Sequence, residues 1–116
     1  MNQELDKLLN GQCKQYSNND SALNLTQIEE LRRLTPDWQF CANDNVLCRT
    51  YHFDSYADTI KFVDKIASIA EAQDHHPDIL MTYRRCKVSY KTHTVNGITD
   101  NEFICAAQID ALDNKS

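Results

Sequence analysis

Much of what this 116-residue chain can be follows from what it lacks. No apolar run approaches the roughly 18–20 residues of a membrane span, so no membrane role is expected. The start, Met1-Asn2-Gln3-Glu4, is polar and acidic. It has neither the basic n-region nor the apolar h-region of a secretory leader. The five cysteines (Cys13, Cys41, Cys48, Cys86 and Cys105) are odd in number and never fall at C-x-x-C spacing. A disulfide framework favours an even count and a zinc site favours close pairs, so reduced thiols in a cytoplasmic protein are expected. A basic excess is missing too: 12 Lys and Arg stand against 17 Asp and Glu, a net charge of −5. Nucleic-acid binding ordinarily needs a basic face, which leaves small molecules and proteins as the expected partners. No internal repeat is visible, and no ordered serine or cysteine nucleophile motif occurs.

With 41% apolar and 25% charged residues, the composition is that of one ordinary globular domain. Residues 1–22 read as a partly mobile N-terminal extension. A short helix to Leu9 carries Leu5, Leu8 and Leu9 on one side, and the stretch Gln12 to Ser21 is too polar to bury much surface. The folded domain is expected over residues 23–116.

Within it, Thr26-Gln27-Ile28-Glu29 has the pattern of a capping box, and Ile28, Leu31 and Leu34 form a narrow stripe on a helix that Pro36 stops. Trp38 to Cys41 and Val46 to Phe53 alternate as two strands around the turn Ala42-Asn43-Asp44-Asn45. Asp54-Ser55 can cap the next helix, which meets no glycine or proline until about Asp74. Its expected buried face is marked by Ile60, Val63, Ala67 and Ala70, joined by Phe62, Ile66 and Ile69. Ile79 to Tyr83 and Cys86 to Thr94 form a second hairpin, with Lys87, Ser89, Lys91 and His93 sharing one face. Thr99 to Glu102 offers another capping box for a last helix to about Leu112, with Phe103, Ala106, Ala107 and Ile109 inward, and Asp113 to Ser116 should fray. The order α-β-β-α-β-β-α predicts an α+β two-layer sandwich: one four-stranded antiparallel sheet with helices on one face.

The chemistry gathers at Glu71-Ala72-Gln73-Asp74-His75-His76-Pro77, which holds two of the four histidines. Neighbouring helical residues point about 100° apart, so His75 and His76 do not chelate as an i, i+4 pair would. Pro77 biases His76 toward extended backbone, which lets both rings lean into one cleft where helix passes to strand. If the helix runs to His75, Glu71 lies one turn earlier and can orient that imidazole. His93 arrives on the later strand. The same pair could serve only as polar punctuation before a proline, and His52, alone in the first hairpin, reads as structural. Imidazoles beside carboxylates, without a nucleophile motif, point to acid–base work. The spacing does not support a three-histidine metal site.

The run Glu71-x-x-x-His75-His76-Pro77, then Tyr83, then His93, resembles the signature of the pterin-4a-carbinolamine dehydratases. Leu25-Thr26, Trp38, Tyr51-His52-Phe53 and Gly97-Ile98-Thr99 resemble that family as well. The likeness covers Leu25 to Leu112, and the N-terminal extension looks like that of bacterial members. The resemblance implies dehydration of a 4a-hydroxytetrahydropterin to the quinonoid dihydropterin, in pterin recycling linked to phenylalanine hydroxylase. It implies His75, His76 and His93 as the catalytic set, without assigning acid or base, and Glu71 and Glu102 as supporting carboxylates. His75, His76, Pro77, Thr92, His93, Thr94 and Val95 would line the pterin site. No metal or organic cofactor is implied, and a homodimer or homotetramer is. Family members also act as dimerisation partners of a transcription factor, which leaves a protein-binding role as the alternative. Two positions depart from the pattern: Ile79 stands where many members have tryptophan, and Glu102 stands for the family's aspartate.

Overall fold

The computed structural model describes residues 3–113. The first two residues of the predicted N-terminal helix, and residues 114–116 of the stretch Asp113 to Ser116 expected to fray, lie outside the described residues; Asp113 ends the last helix. The chain runs α1 (Gln3–Leu9), α2 (Leu25–Arg32), β1 (Gln39–Cys41), β2 (Val46–His52), α3 (Tyr56–Gln73), β3 (Asp78–Met81), β4 (Arg85–Tyr90), a 3-10 turn (His93–Val95) and α4 (Asp100–Asp113). The four strands form one antiparallel sheet in the order β1-β2-β4-β3. This is the α+β order expected, with α1 preceding it.

Strand alternation sets the layers. Leu47 and Tyr51 of β2 and Cys86, Val88 and Tyr90 of β4 are buried in one core with Trp38, Phe62, Ile66, Phe103 and Ile109. On the other face Thr50, His52, Lys87 and Leu80 are exposed. Leu47 pairs with Tyr90 and Arg49 with Val88, so β2 and β4 turn the same alternate residues toward the helices.

Two helix readings shift. In α2 the N-cap is Asn24, two residues before Thr26: its side chain accepts from Gln27 N at 2.8 Å while Gln27 Oε1 accepts from Asn24 N at 2.9 Å. An Asn/Gln amide pair satisfies the same free N–H groups as a Thr/Glu box, and of the two patterns in this stretch the amide pair is the one that caps the helix. In α3, capped by Ser55, the buried stripe is Thr59, Phe62, Ile66, Ala70 and Gln73, whereas Ile60 and Ala67 are exposed. Two members of that stripe are polar. Thr59 Oγ1 donates to the carbonyls of Ser55 and Tyr83 (2.9 and 3.1 Å), so its hydroxyl is buried with its bonding satisfied.

Helix α4 is buried on nearly every side from Asn101 to Ala107 because α1 and α3 both pack on it. The predicted inward residues are buried, and Ile104 and Cys105 join them. Leu8 of α1 is also buried, a contribution of roughly 1.5–3 kcal/mol for an aliphatic side chain of that size. The segment read as an extension thus carries core residues.

Candidate active site

Helix α3 ends in a Schellman turn. Asp74 adopts the left-handed conformation (φ 49°, ψ 44°), its N–H donates to Glu71 O at 3.3 Å, and His75 N–H donates to Ala70 O at 3.1 Å. The helix therefore stops before His75. The change of direction ascribed to Pro77 is made three residues earlier, at Asp74.

The turn sends the two imidazoles to different carboxylates. His75 Nε2 meets Glu102 Oε2; the histidine side chain is 14% exposed and the glutamate 0%. His76 Nε2 lies 2.5 Å from Glu71 Oε2, with both side chains largely in solvent. The expected Glu71–His75 pairing is thus replaced by two pairs, because the left-handed turn rotates His75 inward and leaves His76 over the last turn of α3.

Glu102 is held from its other oxygen. Glu102 Oε1 accepts from Thr92 Oγ1 (2.7 Å), Thr99 N (2.8 Å) and Thr99 Oγ1 (3.2 Å). Its bond to Thr99 N is one half of the predicted capping box, while Thr99 Oγ1 accepts from Asn101 N at 3.2 Å. One carboxylate therefore caps α4 and faces His75. A buried charge is tolerable only with such a set of donors. Beneath His75 lies Tyr90: the rings stack at 5.1 Å between centroids, 19° apart, and the phenol donates to His75 O at 3.1 Å. Burial pushes the Tyr90 phenol well above its ordinary range, so it stays a neutral donor.

His93 is not on a strand. β4 ends at Tyr90, Thr92 pairs with Gly97 across a tight turn, and His93 opens the 3-10 turn inside it. The alternation that seemed to carry the strand on to Thr94 ends where the chain must fold back toward α4. Asn96, left-handed at φ 49°, closes this turn, and Asn45 Nδ2 donates to Asn96 O at 3.1 Å, tying it to the β1–β2 turn.

Between these turns and the sheet lies a cleft of about 380 Å³, lined by His76, His93, Asp78, Ser89, Lys91 and Asn45 among others. It brings together two of the three predicted catalytic histidines. His75 is not among the lining residues; it sits with Glu102 and Tyr90 in the buried network. Of the predicted lining residues, Thr92 is buried on Glu102, while Pro77, Thr94 and Val95 do not line the cleft. Asp78, Ser89, Lys91 and Asn45 were missed, although Ser89 and Lys91 share strand parity with His93. His52 lies outside the cleft, on the exposed face of β2. Among the described residues no three His, Cys, Asp or Glu side chains cluster to hold a metal ion, and no helix is long and apolar enough to cross a membrane.

Fold and site together define a two-layer α+β protein with paired imidazole–carboxylate units at one end of its sheet. The sequence profile of the family Pterin 4 alpha carbinolamine dehydratase matches residues 21–112, and the chain belongs to that family. A Xylella fastidiosa (strain 9a5c) protein provisionally designated a pterin-4-alpha-carbinolamine dehydratase is 38% identical over 109 residues, covering 94% of each chain. Among solved structures, a protein described as a transcriptional coactivator/pterin dehydratase from Brucella melitensis superposes with a TM-score of 0.75. It is 27% identical, over 79% of this chain and 98% of that one. A pterin dehydratase-like protein identified as a RuBisCO assembly factor in the alpha-carboxysome reaches 0.59, at 27% identity over 69% and 93% of the two chains.

Proposed function

We propose that this protein is a hydro-lyase that removes water from a 4a-hydroxytetrahydropterin. The observation that carries the reading is that His76, backed by the Glu71 carboxylate, and His93 line one cleft. In the reaction the C4a–O bond breaks, the hydroxyl leaves as water after gaining a proton, and N5 gives up its proton as the N5–C4a double bond forms. The product is the quinonoid dihydropterin. One group must deliver a proton and another must accept one. Imidazole is the side chain suited to do both at neutral pH, and such positioned groups typically contribute about 10²–10⁴-fold. His75, His76 and His93 form the proposed catalytic set: His76 and His93 face the ligand, and His75 acts from the network below with Glu102. Ser89, Lys91 and Asp78 add polar contacts for the pterin edge, while Ile79, which stands where many members have tryptophan, packs against the core on the other face of the sheet.

The metabolic setting we propose is cytoplasmic pterin recycling beside phenylalanine hydroxylase, with no metal or organic cofactor. Leu80 of the edge strand β3 and Tyr83 beyond it are 64% and 69% exposed, which supports a homo-oligomer. The coactivator and assembly-factor descriptions of two structural neighbours support a second reading, a protein-binding role on the same fold. A binding module has no need of two imidazoles on carboxylates, and that favours the enzyme. Stopped-flow decay of 4a-hydroxytetrahydropterin tests it: the reading predicts a rate well above buffer at catalytic protein concentration, and a rate equal to buffer overturns it.

A further inference from the structure

The segment Gly11 to Lys14 lies as a strap against the ends of two helices. Two buried side chains, Gln73 and Asn101, hold it. Gln73 Oε1 accepts from Cys13 N at 2.7 Å, and Gln73 Nε2 donates to Gly11 O and Gln108 Oε1, both at 3.0 Å. Asn101 accepts from Lys14 N through Oδ1 (3.0 Å) and donates to Lys14 O through Nδ2 (2.8 Å), so its amide pairs with the strap as a neighbouring strand would. Cys13 Sγ adds contacts at 3.6 Å to Asn101 O and to Cys105 Sγ.

What matters is where those two side chains stand. Gln73 is the last residue of α3, two before His75, with the left-handed Asp74 between them. Asn101 immediately precedes Glu102. The strap therefore bonds to side chains beside both partners of the buried His75–Glu102 contact, at each partner's nearest rigid neighbour. Cys105 and Tyr90 lie below the contact: the Cys13 hydrogen bond and burial push the Cys105 thiol far above its ordinary range, and the Tyr90 ring stacks on His75. Gln108 fixes the strap's near end, donating to the carbonyls of Leu8, Leu9 and Gly11 at 3.2–3.3 Å. Gly11 keeps this approach close, since a Cβ would sit tightly at 3.0 Å from Lys7 O and 3.1 Å from Ile104 Cγ1.

We infer that residues 11–14 are a positioning element of the site, acting through Gln73 and Asn101 to set the geometry of His75 on Glu102. The inference rests on the placement of the His75–Glu102 pair in the active site proposed above. The match to the family profile begins at residue 21, so the strap lies outside it. Small losses of alignment between catalytic groups reduce turnover far more than substrate binding.

The test uses the full-length chain with Gln73→Ala and Asn101→Ala, read in two ways. The first is the NMR titration of the His75 ring without substrate, expected to move by about 0.5 pH unit or more in both variants. The second is dehydration kinetics, expected to show kcat down about tenfold with KM within about twofold. A purely structural role would lower the urea midpoint and leave the His75 titration of the folded fraction unchanged, and that result overturns the inference. If the variants do not fold, wild type serves: coupling is reciprocal, so the Cys13 and Lys14 amide shifts must inflect at the His75 midpoint, and flat shifts there overturn it. Wild-type protein without dehydratase activity would refute the proposed reaction while the titrations still decide the role of the strap.

Discussion

His75 reaches the carboxylate of Glu102 across the junction of α3 and α4, and Glu102 presents its other oxygen to Thr92 and Thr99 with none of its surface in water. A cap residue and a proposed site residue are here one side chain. Glu102→Ala should therefore do two kinds of harm. It strips the acceptor from Thr99 N, the Thr92 hydroxyl and His75 at once, and removing one partner of a buried pair typically costs about 3–5 kcal/mol. We expect a loss of about 3 kcal/mol in urea unfolding, together with the loss of most dehydratase activity. Glu102→Asp, the residue common in the family, should fold and keep more activity than the alanine variant.

Asp74 is a non-glycine residue at φ 49°, which costs roughly 1–2 kcal/mol relative to glycine in the left-handed region. Asp74→Gly should gain about 0.5–1 kcal/mol once the extra freedom of the unfolded chain is set against that. Asp74→Val should lose at least 1 kcal/mol on the order expected for a β-branched residue there. Thermal or urea unfolding of the two variants measures the signs.

Gly97 has no room for a side chain: a Cβ would stand 2.7 Å from Ala22 Cβ. Gly97→Ala should displace the Leu23 N to Ile98 O bond that fastens the chain beside the His93 turn, costing about 1–3 kcal/mol. Reduced protection of the Leu23 amide in hydrogen exchange would register the displacement.

Buried thiols give the fold an alkaline limit, with Cys48 and Cys86 the first to be reached. Burial, aided by Cys41, pushes Cys48 from 9.0 to about 11, and burial alone pushes Cys86 from 9.0 to about 11. The unfolded chain releases these protons near pH 9 while the folded chain retains them, so the unfolded state binds fewer protons and stability falls as pH rises. The contribution is fully present below pH 9 and is lost progressively toward about pH 11. Urea midpoints under reductant should fall between those limits, and less steeply in Cys86→Ala.

The two hairpins of one antiparallel sheet and the length of α3 were legible because period-two alternation and the long span without glycine or proline leave few alternatives. Less was legible where polar residues do the work of apolar ones. Thr59 and Gln73 complete the buried stripe of α3, so the apolar periodicity points one residue off, to Ile60 and Ala67. The histidine motif was visible, but its wiring was not. A sequence shows Glu71 four residues before His75, and nothing in it announces that Asp74 will turn left-handed and hand Glu71 to His76. The polar stretch before Leu23 looked incapable of burial because its anchors, Gln73 and Asn101, lie 60 and 87 positions further on.

The most direct test of the account is stopped-flow dehydration of 4a-hydroxytetrahydropterin by wild type, His76→Ala and His93→Ala. The cleft as described predicts rapid wild-type turnover and a loss of about 10²-fold or more in each variant, with the His75 titration and the urea midpoint little changed. Wild-type decay no faster than buffer, or variants within about twofold of wild type, would contradict it.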